Sequence, residues 1–162
     1  MSAGGIQPLL SILDGVYSDQ TRVLHDATKL LNSAEGSGLM PEILPVAERK
    51  GHINVYHSKS LCFSGCIPMT YNGIKYQIPI QIFLTPSYPS YPPICYVRPL
   101  ETMVIKENHK HVGSDGMIYM PYLNQWNNNS NLVDMVLMMS SIFGADPPVF
   151  AKAAKTYNAV TM

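Results

Sequence analysis

From Ile74 to Leu84 the chain reads Ile-Lys-Tyr-Gln-Ile-Pro-Ile-Gln-Ile-Phe-Leu, apolar at even positions and mostly polar at odd ones. A period of two is that of a β-strand with one face buried and one open; a helix would scatter these residues around its circumference. Tyr71-Asn72-Gly73 precedes the run, and Asn-Gly tolerates the positive φ that a tight hairpin turn demands. The strand ending near Met69 therefore pairs antiparallel with it. Residues Ala47 to Gly51 form a charged, glycine-terminated turn that joins two earlier strands into another hairpin, and Ile94 to Arg98 is a further short strand. Four antiparallel strands sharing one apolar face need something to cover that face.

Helices supply the cover. Pro8 to Leu31 has helical character, first through Leu9, Leu10 and Leu13, then in a second helix capped by Ser18 or Asp19 with Val23, Leu24, Ala27, Leu30 and Leu31 at helical spacing. Ser33 to Gly38 breaks it. Ser130 is the expected N-cap of a last helix whose Leu132, Val133, Met135, Val136, Met139, Ile142 and Phe143 make one broad apolar face. Gly144 is expected to end that helix, and Pro147-Pro148 to prevent its resumption. The order implies an α+β domain, with a four-stranded antiparallel sheet and helices packed on one face.

At 162 residues, one domain is the economical reading. Eleven basic residues balance eleven acidic ones, so no global field steers nucleic acid or an anionic membrane, and neither is an expected partner. No apolar run approaches the roughly 20 residues of a membrane span, so direct insertion is not expected either. Only 14% of residues are charged, against an ordinary share of about 25%, while there are 13 prolines and 10 tyrosines. A polar-aromatic surface of that kind suits short peptides and protein faces. Three cysteines do not make a disulfide framework and favour a reducing, cytoplasmic compartment. His52, His57, Cys62 and Cys66 lack the tight spacing of a zinc knuckle and mix both strand faces, so no metal and no cofactor is expected. Cys62, Cys66 and Cys95 read as small apolar strand residues, none of them near Tyr119.

Three further stretches carry a resemblance. Tyr88-Pro89-Ser90-Tyr91-Pro92-Pro93 follows the hairpin strands; Ile118-Tyr119-Met120-Pro121-Tyr122-Leu123 and Phe143-Gly144-Ala145-Asp146-Pro147-Pro148-Val149-Phe150 lie beyond. Together they resemble the ubiquitin E-two variant (UEV) domain, a ubiquitin-conjugating-enzyme-like fold, in the type found in the tumour-susceptibility/Vps subunit of ESCRT-I. Tyr119 stands ten residues after His109, where a conjugating enzyme of this fold keeps its cysteine, and His111 stands at the asparagine of its His-Pro-Asn triplet. A phenol with a reference pKa of about 10 cannot form a thioester, so the catalytic position is vacant and the resemblance implies no enzyme.

The same resemblance implies a reader of Pro-Ser/Thr-Ala-Pro-type peptides and of ubiquitin or ubiquitinated cargo, recruited from the cytoplasm to endosomes. It places the peptide groove at Tyr71, Tyr76, Met103, Val149 and Phe150. Gln77 and Ala151 stand beside the peptide path, where the family usually has Asn and Ser. By parity alone Tyr76 faces the core, and the plain reading is a buried tyrosine. For ubiquitin the resemblance implies the long hairpin between the first two strands and part of the exposed sheet. Parity adds Phe83 as an outward aromatic, with Tyr96 and Arg98 beside it; Phe83 packed on a neighbouring loop is the plainer alternative. Two rivals stand: an activating variant that pairs with an active conjugating enzyme in polyubiquitin chain assembly, and an active conjugating enzyme with a displaced cysteine. Residues 1–151 are expected to be the domain and 152–162 a tail. Whole subunits of this type continue further, so other ESCRT-I subunits are expected partners if the chain belongs to a longer protein.

Overall fold

The computed structural model describes residues 3–152. Two helices, α1 (Ala3–Ile12) and α2 (Gln20–Asn32), precede four strands, β1 (Leu39–Lys50), β2 (Ile53–Tyr71), β3 (Ile74–Leu84) and β4 (Ile94–Val97). A short β5 (Met103–Ile105), a one-turn α3 (Pro121–Asn124), the long α4 (Leu132–Ala145) and β6 (Val149–Ala151) follow. The main sheet is antiparallel in the order β1-β2-β3-β4, and β5 pairs with β6 in a separate two-stranded arm. That arm and α3 were not legible in the sequence pattern.

From Ile78 onward the even positions of β3 face the core as expected, whereas Ile74 and Tyr76 are exposed. Ile78, Ile80, Ile82 and Leu84 join Leu61, Phe63, Ile67 and Met69 of β2 in one core with α1, α2 and α4. Tyr71 pairs with Ile74, and the turn between them has φ +51° at Asn72 and +78° at Gly73. The first hairpin differs from expectation, because pairing runs out to Lys50 and Ile53 and the turn is only Gly51-His52. Ala47 to Lys50 belong to the strand. The register shifts between Leu44 and Val46, a bulge that bends the hairpin, and both residues pack on the face opposite the helices.

Several helix boundaries also move. Helix α1 starts at Ala3, ahead of Pro8, which stands inside it. Asp19, one of the two candidates, caps α2 by accepting from the Arg22 N–H. Asn131, not Ser130, caps α4, accepting from the Asp134 N–H at 2.9 Å. Ser130 closes the preceding turn instead, its hydroxyl accepting from the Asn127 N–H. Gly144 lies within α4, which runs on to Ala145.

Two tyrosines tie these layers together. The buried Tyr17 hydroxyl donates to the Leu84 carbonyl and accepts from the Leu61 N–H, each at 2.7 Å, stapling α1–α2 to the last β2–β3 pair. Tyr88, in the proline turn, is fully buried and donates to Asp26 of α2. Arg22 holds the same carboxylate at 2.6 Å and reaches the carbonyls of Asn128 and Ser130. Trp126 donates to Pro89 at 2.8 Å. The turn from Thr85 to Pro93 is thereby fastened to α2 and to the loop before α4.

Candidate functional site

The sequence-predicted peptide residues converge. Tyr71, Tyr76, Gln77, Met103, Val149, Phe150 and Ala151 line one groove of about 450 Å³, together with Met69, Ile78, Thr102 and Pro147. One wall is the outer end of the β2–β3 hairpin and the other is the β5–β6 arm. Tyr76 is not buried as its parity implied: it is 43% exposed and Tyr71 36%. At this end of the hairpin the β5–β6 arm faces Tyr76 across the groove, so the core face continues outward as a groove wall.

Backbone phase gives the groove its polar character. Lys106 donates to the Pro148 carbonyl and Lys152 to the Thr102 carbonyl, each at 2.8 Å. In an antiparallel ladder such bonds alternate, so Phe150 bonds β5, whereas the N–H and C=O of Val149 and Ala151 turn outward. Arg98 donates to the Pro79 carbonyl, so the odd residues of β3 turn toward β4. Strand β4 pairs only with Ile80 to Phe83, which leaves the backbone of Gln77 pointing to an uncovered edge. The same phase seats Pro68, opposite Gln77, where β2 needs no N–H. Two strand edges with free donors and acceptors thus flank an apolar floor, a geometry suited to an extended peptide.

Of the four lining residues the groove prediction left out, Pro147 carried a signal in the Pro-Pro-Val-Phe stretch. Met69 and Ile78 read as ordinary core positions. Thr102 had none, because its place depends on how the arm folds back.

The open sheet face departs from expectation. Phe83 does point away from the helices, but it is only 5% exposed, packed with Val46, Cys62, Leu44, Ile94 and Tyr96 in a second apolar cluster. The bent first hairpin and the Tyr96 ring cover it, edge to face at 6.0 Å between centroids. Tyr96 is half-buried and Arg98 exposed, with the guanidinium 4.1 Å from the Tyr96 ring centroid. Residues of the first hairpin project beyond this face, with Ile53 and Tyr56 strongly exposed.

At the vacant position Tyr119 is half exposed, and its backbone is tied to His111 on both sides. The Tyr119 N–H donates to the His111 carbonyl at 2.7 Å, and His111 Nδ1 lies 3.0 Å from the Tyr119 carbonyl. His109 is buried, its Nδ1 accepting from the His111 N–H, which leaves Nε2–H to donate to the Asp146 carbonyl. Cys95 is nearer than expected, for its carbonyl accepts from the Ile118 N–H at 2.8 Å. Its thiol nevertheless points into the core, 3.8 Å from Met135 Sδ, and burial pushes its pKa far up. Burial likewise raises Cys62 to about 11. Such thiols are poor nucleophiles. His57 pairs with Glu48 at 3.3 Å, and among the described residues no three His, Cys, Asp or Glu side chains gather as a metal site.

Comparison with known proteins places this geometry. The UEV domain family model matches residues 10–151. The chain is 45% identical over 89 residues to Protein ELC of Arabidopsis thaliana, covering 54% of this chain and 22% of that protein. It is 44% identical over 90 residues to the human Tumor susceptibility gene 101 protein, covering 55% and 23%. The chain thus matches less than a quarter of the length of these relatives. Among solved structures, the yeast Vps23 UEV domain in complex with a Vps27 PSDP peptide superposes with a TM-score of 0.70 at 20% identity, covering 94% of this chain and 97% of that one. A complex of the Vps23 UEV with ubiquitin gives 0.62 at 20% identity, covering 91% and 98%. With the family model spanning nearly the whole described fold, the chain belongs to the UEV domain family.

Proposed function

We propose that this domain is a catalytically inactive adaptor that binds Pro-Ser/Thr-Ala-Pro-type peptides in the Tyr71–Phe150 groove and ubiquitin on the open sheet face, for endosomal cargo sorting. The observation that carries the peptide half is the convergence of seven named residues on an apolar trough between two unpaired strand edges. A proline ring is rigid and apolar; held between Tyr71, Tyr76 and Met103 it sheds water at little entropic cost, while the strand edges bond the peptide backbone. The solved Vps23 complexes, one with a PSDP peptide and one with ubiquitin, support both halves by likeness of fold. Absence of enzymatic activity rests on Tyr119 and on the inward Cys95 thiol. In this reading the domain serves within an ESCRT-I subunit, as the Dictyostelium discoideum relative is described, and is recruited from cytoplasm to endosomes. Among the described residues no helix is long and apolar enough to cross a membrane. We take residues 1–151 as the binding unit; Lys152 still bonds to the arm, and residues 153–162 of the proposed tail lie outside the described residues.

The test is titration of a labelled Pro-Thr-Ala-Pro peptide. The expected Kd is on the order of 10⁻⁵ to 10⁻⁴ M, because a short ligand fills one main pocket. A peptide array in which the last proline is replaced should lose signal; indifference to that proline would falsify the groove.

A further inference from the structure

The open face of the sheet carries a chain of polar contacts that crosses three strands. Ser64 of β2 accepts from Gln81 Nε2 at 3.0 Å, and Gln81 of β3 accepts at Oε1 from Arg98 Nε at 2.7 Å, just past β4. The Arg98 guanidinium then lies over the Tyr96 ring, which rests edge-on against the buried Phe83. The amide of Gln81 can face only one way in this chain, since its NH₂ must meet Ser64 and its oxygen the guanidinium. An arginine on a surface ordinarily samples many rotamers. Here one N–H is bonded and one face is stacked on an otherwise exposed side chain, which fixes the plane of the fork formed by the Nη groups.

We propose that Gln81 is a positioning residue, which with Tyr96 sets Arg98 as the polar anchor of the open face, its outer fork meeting a pair of acceptor oxygens on the bound ubiquitin. The inference rests on the ubiquitin reading of this face. It goes beyond that reading by making a planar, pre-oriented guanidinium the specificity element and by giving Gln81 a role through Arg98. The apolar contribution of the face is small, because Phe83 is covered and only part of Tyr96 is open. A fixed donor fork supplies the direction that a small apolar patch lacks.

The test combines ubiquitin titration with NMR of the arginine side chain. In the wild-type protein, ubiquitin should shift the Tyr96 amide and the Arg98 Nε–H resonance. Arg98→Lys keeps the charge but loses the fork, and should weaken ubiquitin about three- to tenfold, the span of one net hydrogen bond. Gln81→Met keeps the volume but loses both bonds; it should weaken ubiquitin by a smaller factor and bring the Arg98 Nε–H into fast solvent exchange, with the unfolding midpoint little changed. Ser64→Ala should do the same more mildly. A salt series tells carboxylate acceptors, whose bond is screened, from carbonyl acceptors. Unchanged affinity in Arg98→Lys, or in Gln81→Met beside a clear loss in Arg98→Ala, overturns the proposal while the ubiquitin reading stands. Ubiquitin that binds with no shift at Tyr96 or Arg98 in the wild-type protein overturns both.

Discussion

A Cβ placed on Gly144 would stand 2.6 Å from the carbonyl oxygen of Thr70. The last turn of α4 therefore rests directly on the backbone of the β2–β3 hairpin, one residue before Tyr71. That contact holds one groove wall against the helix that leads into Pro147 on the other. Gly144→Ala should destabilise the fold by about 1 to 3 kcal/mol, as overpacking does, since a backbone oxygen cannot swing aside. Denaturant unfolding checks the loss. Peptide affinity should fall with it, because the hairpin end must shift.

In the groove itself, burial of one proline side chain is worth about 1 to 3 kcal/mol. Tyr71→Ala or Met103→Ala should cut peptide binding about tenfold or more, as 1.4 kcal/mol is a factor of ten. Ubiquitin affinity should persist in both variants, measured side by side by calorimetry or fluorescence. Equal loss of both ligands would mean that the substitutions unfold the domain or that the two surfaces are one.

Phe83→Ala separates packing from contact. The ring is buried in the second cluster, so its removal should cost about 3 kcal/mol of stability by leaving a cavity. Ubiquitin should weaken only through the loss of support beneath Tyr96. A variant of undiminished stability would contradict the burial described above.

Incubation with activating enzyme, ATP and ubiquitin should yield no thiol-sensitive adduct. The phenol of Tyr119 cannot form one, and the Cys95 thiol faces Met135. An adduct that disappears in Cys95→Ser would overturn the inactive reading.

Asp146 gives the arm a pH dependence. Its carboxylate sits 2.5 Å from Lys106 Nζ, which together with His109 holds its pKa below the ordinary value of 3.8. A depressed carboxylate contributes stability that is complete above its unfolded pKa and is lost as pH falls through the lower folded value. The arm should thus hold at neutral pH and loosen only below about pH 4. The group is exposed, so the effect should be modest and shrink with salt. Asp146→Asn should flatten the acid limb of arm protection, read by hydrogen exchange at Lys106 and Lys152.

The β2–β3 hairpin was legible in the sequence, because a two-residue period and an Asn-Gly turn are local signals that survive without neighbours. The family resemblance located the vacancy at Tyr119, and a phenol cannot form a thioester in any surroundings. Helix ends were less legible: Ser130 and Asn131 both carry capping side chains, and only the path of the chain selects one. Tertiary structure alone decided which strand faces are exposed. Parity tells which face a side chain takes, not what packs on that face. Tyr76 meets a groove shared with the β5–β6 arm, so a core-facing residue became a groove wall, and the first hairpin packs Leu44 and Val46 on Phe83, so an outward residue became buried. The β5–β6 arm was equally hidden, for three-residue strands carry too little periodicity to register, and their pairing depends on a contact between residues nearly fifty positions apart.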